Sequence, residues 1–401
     1  SEFDETAKAE ILENSEENYF DHDIHSCNAA EFSQLNNLFA KTSLIALGES
    51  KMEESKMIKE YLHYLILHEM GHTLGLNHNM KSSQLHSIND IHNEEKTKEI
   101  GLIGSVMDYP SVNISLDRNK QGQYWSTRPG PYDVWAIQFA YQPRKSEKET
   151  EQLLSKSTLP ELTFGNDADD MRSPGRGIDP RVNVGDLTNN AIDYAVERIE
   201  LSKKVANGIL DRYEKENKGE SYQIARTAYL TLTNQQARAA TVISRYVGGV
   251  YVDRAFIGQE GGTSPLIPVE ADKQKKAMIT LSKHVFSPNA FTVPNDLYNH
   301  LQKQRRGFNL RSSPEDPKIQ SRTLKIQKIT LSHLLHPNTL QRISDSELYG
   351  NKYSLSEMMT DLNDAIFKAD IGSNVSAFRQ NLQLAYTKML IDIVVGKNKN
   401  K

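Results

Sequence analysis

Apolar residues along the chain recur mostly at the three-to-four-residue spacing of helices and rarely at the alternation of strands. Phe32, Leu35, Leu38 and Phe39 predict a short helix over 29–40. A longer pattern follows, in which Met57/Ile58, Tyr61/Leu62, Leu65/Ile66 and Met70 step by about four and give a broad apolar stripe that stops at Gly75. Residues 76–128 read as loops. Val134, Ile137 and Tyr141, with Pro131 suited to a first turn, predict a helix over 131–141. Beyond residue 190 the segments 191–217, 221–246, 270–284, 294–304, 321–335, 354–369 and 375–395 read as amphipathic helices separated by Pro and Gly clusters. The best strand candidate is 246–252, where Gly248-Gly249 marks a bulge or a close backbone approach. The expected fold class is therefore predominantly α-helical, becoming α+β if a sheet precedes the first long helix.

Composition narrows this only a little. A length of 401 residues allows two or three domains, and 37% hydrophobic with 25% charged residues is ordinary for a globular chain. A net charge of −4 nominates neither nucleic acid nor an anionic membrane. The basic stretch 303–328 is broken by Glu315 and Asp316 and reads as a solvated face, so no nucleic-acid partner is expected. No apolar run approaches the ~20 residues that span a bilayer. The N-terminus has one Lys against nine acids through Asp23, the wrong sign for a signal peptide, and Ser1-Glu2-Phe3 look like the remnant of a cloning site. The lone Cys27 excludes an internal disulfide.

The chemistry is concentrated in His68-Glu69-Met70-Gly71-His72-Thr73-Leu74-Gly75-Leu76-Asn77-His78. Positions i and i+4 share a helix face, so His68 and His72 can offer two imidazoles to one metal. A third ligand requires the chain to turn, and Gly75 permits the positive φ that ends a helix and returns His78 toward the ion. Three neutral imidazoles leave zinc an open position, the arrangement of a catalytic site. Zinc lowers the pKa of a bound water to about 7, and Glu69, next along the helix, is placed to act as general base. His63 lies off that face and reads as packing or solvated.

This string resembles the metzincin clan of zinc peptidases, and Ser105-Val106-Met107-Asp108-Tyr109 resembles the clan's Met-turn. The resemblance implies that Met107 floors the metal site. It also implies that Tyr109 binds the metal or stabilises the oxyanion. The segments His68–Asn79, Gly104–Pro110, Gly130–Tyr141, Asp179-Pro180-Arg181 with Asp186-Leu187, and Ser244–Arg254 are similar to the bacterial Met-zincin family, whose members are generally exported by Gram-negative bacteria; a periplasmic or otherwise exported home is what that implies. Asn79, directly after the third His, fits none of the best-known metzincin subfamilies.

Taken together, these features predict a zinc-binding catalytic region over 1–142, a connector or lid over 143–190, and a helical C-terminal domain over 191–401. Metzincins place a sheet upstream of the metal-binding helix. Here only 67 residues precede His68 and none reads as a run of strands, so the catalytic region is expected to hold the lower half of the cleft and to be truncated at its N-terminus. The expected function is a zinc metalloendopeptidase acting on protein or peptide substrates. A zinc-braced binding module, or another hydrolase on the same metal, remains open. Two other clusters read either as metal sites or as solvated acids. One is Asp21, His22, Asp23 and His25 with Cys27. The other is Asp167, Asp169 and Asp170, half of a calcium loop lacking its Gly and distal Glu.

Overall fold

The computed structural model describes residues 29–143, 146–171, 175–304 and 314–396. Helices dominate, as the spacing predicts. Helix α1 (Ala29–Ala46) and α2 (Lys51–Thr73) are followed by a long irregular stretch with one short helix, α3 (Glu94–Ile100). Then come α4 (Pro131–Tyr141), α5 (Glu147–Leu154), and the long pair α6 (Ala191–Glu216) and α7 (Gln223–Ser244). Strands β1 (Val250–Val252) and β2 (Leu266–Pro268) pair antiparallel with Tyr251 opposite Ile267. The chain ends in α8 (Ala271–Leu281), α9 (Asn295–Asn299), α10 (Ile319–Leu334), α11 (Pro337–Ser346), α12 (Leu355–Phe367) and α13 (Ala377–Val394). Between residue 29 and His68 the chain is two helices joined by a short turn, and the two strands are the only ones among the described residues. No described helix is long and apolar enough to cross a membrane.

Helix α7 runs through the middle, with nearly every residue buried. Its polar groups find partners, as buried polar groups must. The Thr231 hydroxyl donates back to the Thr227 carbonyl, and Arg322 donates to Thr233 and Asn234 at 2.6 Å each. The α6/α7 pair separates two apolar clusters. Tyr194, Leu201 and Val205 join Phe39, Leu44, Met57 and Tyr64 from α1 and α2, whereas Ile192, Ala195 and Ile199 pack with residues of α8 and α10–α13. The first cluster thus spans both sides of residues 143–190.

Two differences from the sequence pattern have simple causes. Helix α11 is only ten residues long and opens on Pro337, so it falls within what reads as a Pro-marked break between longer helices. In α2 the broad stripe divides: Met57, Tyr64, His68 and Gly71 face the core, while Ile58, Leu62, Ile66 and Met70 stay exposed on the far side.

Candidate metal centre

The site begins with how α2 ends. Gly75 adopts φ +83°, the left-handed conformation that costs a glycine least. The Leu76 N–H then reaches the Gly71 carbonyl and the Gly75 N–H reaches the His72 carbonyl, both at 3.0 Å, which closes a Schellman turn. The turned-back Leu76 carbonyl accepts from His72 Nδ1 at 3.1 Å. Two residues on, His78 arrives beside the two helical imidazoles. One ring nitrogen from each of His68, His72 and His78 lies within 4.8 Å of the others. Among the described residues this is the one group of three or more potential ligand residues.

Each imidazole is oriented from its far side. His68 Nδ1 is 2.7 Å from the Val106 carbonyl, and His78 Nδ1 is 2.7 Å from Asp167 Oδ2. All three Nδ1 atoms therefore face oxygens that accept, which fixes the proton on Nδ1 and leaves each Nε2 with a lone pair. His72 Nε2 and His78 Nε2 stand 3.1 Å apart. Two lone pairs that close repel unless a cation lies between them. Bonds of about 2.1 Å at tetrahedral angles would set such nitrogens about 3.4 Å apart, so the donor set fits zinc.

The floor is built by the turn at residues 105–109. Met107 is fully buried, and its thioether lies against Gly71, where an added Cβ would overlap Sδ. The turn is pinned by Asp133 in the first turn of α4, whose carboxylate accepts from Val106 N at 2.8 Å, Gly130 N at 2.9 Å and the Ser105 hydroxyl. A continuous path thus runs from Asp133 through the Val106 peptide to His68. Tyr109 is buried, stacks on Phe32 with ring centroids 5.7 Å apart, and holds its hydroxyl 3.1 Å from His78 Nε2. Glu69 sits on α2 immediately after His68 with its side chain exposed.

The chain belongs to the Met-zincin family. That family's model matches residues 50–374, a span that takes in the three histidines, the turn at Met107 and the helices from α2 through α12. No curated protein and no solved structure matches the chain.

Burial governs the electrostatics of this Met-zincin centre. Asp108 is enclosed, and burial pushes its carboxyl up to about 7 despite hydrogen bonds from the Ser82 hydroxyl, Ser83 N and Tyr109 N. Burial, and then the nearby Asp108 charge, raise Asp186 well above the ordinary range. Asp133 is also raised by burial, against the donors it holds.

Residues 163–171 and 175–188 are tied by main-chain bonds to Met80 and Tyr109, beside the triad. Met80 N donates to Gly165 O at 2.7 Å, Asn183 N to Met80 O at 3.0 Å, and Gly185 N to Tyr109 O at 2.9 Å. Asn79 contributes too, donating to Thr163 O at 2.9 Å and accepting from Gly165 N at 3.1 Å.

The acids at 167–170 take separate roles. Asp167 holds His78 and Asp169 pairs with Arg254, so their carboxylates do not gather around one point. The cluster Asp21, His22, Asp23, His25 and Cys27 lies outside the described residues. Sequence reasoning did not assign Asp167, Asp133 or Gly71 to the site. Asp133 had a signal, as an acid three residues into a helix opened by Gly130-Pro131; Asp167 had none, lying 89 residues from its partner.

Proposed function

We propose that this chain is a zinc-dependent endopeptidase in which His68, His72 and His78 hold the metal and Glu69 is the general base. One observation carries the proposal: three imidazoles whose Nδ1 atoms are each taken up by an acceptor turn their Nε2 lone pairs toward one point. Zinc bound there would acidify a water and polarise a substrate carbonyl. The remaining work falls to the protein. Glu69 accepts the proton of the attacking water and delivers it to the leaving amine. Val106, Leu76 and Asp167 keep the three rings from rotating, so no reorganisation is needed at the moment of reaction. In this reading the Tyr109 hydroxyl, whose 3.1 Å approach to His78 Nε2 supports the role, donates to the oxyanion as it develops.

The test is Glu69→Ala in the zinc-loaded protein. Zinc content should be unchanged, and cleavage of a denatured protein substrate should be lost. Turnover retained by that variant would overturn the assignment of the base.

A further inference from the structure

Apart from the triad, and lined by none of its residues, the molecule carries a cleft of about 920 Å³. That is at the upper end of the range for ligand-binding pockets. One strip of backbone serves both sites: Asp167 holds His78, while Thr163, Phe164, Ala168 and Asp169 line the cleft. The opposite wall is the β1–β2 hairpin and the loop that joins its strands.

The lining combines apolar surface with unbalanced charge. Phe164 is stacked on Tyr132 with centroids 5.5 Å apart yet stays 40% exposed, and Phe256 across the cleft is 84% exposed. Four cations line the cleft, Lys81, Arg176, Arg181 and Arg254, against three acids, Asp169, Asp179 and Asp253. Asp179 engages both Lys81 and Arg181, and Asp169 engages Arg254. Asp253 is taken up by Thr263 and the Ala255 N–H. Arg176 is left over, exposed, with no acidic partner among the described residues.

The hairpin also offers backbone. Asp253 N bonds Pro265 O and Val269 N bonds Gly249 O, so by alternation Tyr251 and Ile267 form the hydrogen-bonded pair between them. The Leu266 N–H and C=O are then turned away from β1, at a strand edge that borders the cleft. An extended polypeptide can satisfy such an edge; a compact small molecule uses it poorly.

We infer that this cleft seats a stretch of the substrate polypeptide away from the bond being cut, and that it selects an acidic side chain, held by Arg176, flanked by large apolar ones. The inference rests on the peptidase proposal for its meaning, but its test does not need turnover. The chain's net charge of −4 opposes acidic ligands at long range, so a preference for acid must arise locally.

The experiment uses full-length Glu69→Gln protein loaded with zinc and two pools of fluorescein-labelled decapeptides rich in Phe and Leu. The pools differ only in carrying Glu or Lys at randomised positions. The acidic pool should bind at least tenfold more tightly by anisotropy, and adding Arg176→Glu should reverse the order. Equal binding of the two pools, binding of neither, or an order unchanged by Arg176→Glu would each overturn the inference. Failure of the unsubstituted protein to cleave any peptide would count against the peptidase proposal alone and leave the binding result readable.

Discussion

The thioether of Met107 fills the space that a side chain at position 71 would occupy. Gly71 stands between His68 and His72 on the same helix, so the floor of the site and the ligand-bearing helix are in direct contact at the one residue small enough to allow it.

Substituting Gly71→Ala should therefore force Met107 out of place. Overpacking of this kind costs about 1–3 kcal/mol, and zinc affinity should fall with it. Met107→Ala alone should cost roughly 2–5 kcal/mol through the cavity it leaves. The double variant should lose clearly less than the sum, because the second change relieves the first. Urea unfolding of the four proteins measures the cycle, and strict additivity would show that the two residues do not share the space.

Asp167 reaches His78 from far along the sequence and fixes its ring. Outer partners of metal-ligating histidines typically contribute 10–100-fold to metal affinity. Asp167→Ala should weaken zinc by about that factor in a chelator competition, and Asp167→Asn, which keeps an acceptor oxygen, should fall between. Unchanged affinity in the alanine variant would mean that the wall at 163–169 orients nothing.

Stability should also depend on pH through the buried acids Asp108 and Asp186. Burial raises Asp108 to about 7, and burial with the Asp108 charge raises Asp186 well above the ordinary carboxyl range, so the two titrate as a unit. A carboxyl raised in the folded state binds more protons than in the unfolded chain. Its stabilising contribution is complete below the ordinary Asp value near 4 and is lost as pH rises through the folded value. Metal-free protein should thus lose stability between about pH 4 and 7. Asp186→Asn removes one charge and the repulsion between the pair, so the decline should be shallower. Urea midpoints at pH 5 and pH 7.5 give the comparison, and identical slopes would sink the assignment.

The part of the site that could be read from sequence is the part that is local. His68, His72, Gly75 and His78 follow from helical geometry and one turn, and the structure brings the three histidines together. What supports them was hidden for physical reasons. Asp133 acts through hydrogen bonds to a turn 27 residues upstream, and hydrogen bonding across loops leaves no periodicity. Asp167 looked like a cation ligand because a carboxylate in an acidic run carries no mark of its partner. In the fold, long segments such as 375–395 showed themselves, whereas the short α5 and α11, of eight and ten residues, did not. In helix α2 the spacing shows one wide apolar stripe, but which side of it is covered depends on what packs there, and that spacing does not carry.

The three ligands span eleven residues of chain, His68 to His78, while the groups that aim them come from Val106, Leu76 and Asp167. Closing so short a ligand loop costs little chain entropy. Ion affinity therefore becomes a gauge of whether remote parts of the chain are in register, and the reverse holds by linkage. Stripping the metal should loosen the turn at 105–109 and the residues around Asp167 before it loosens α2, and amide exchange in those two loops would report the ion's departure first.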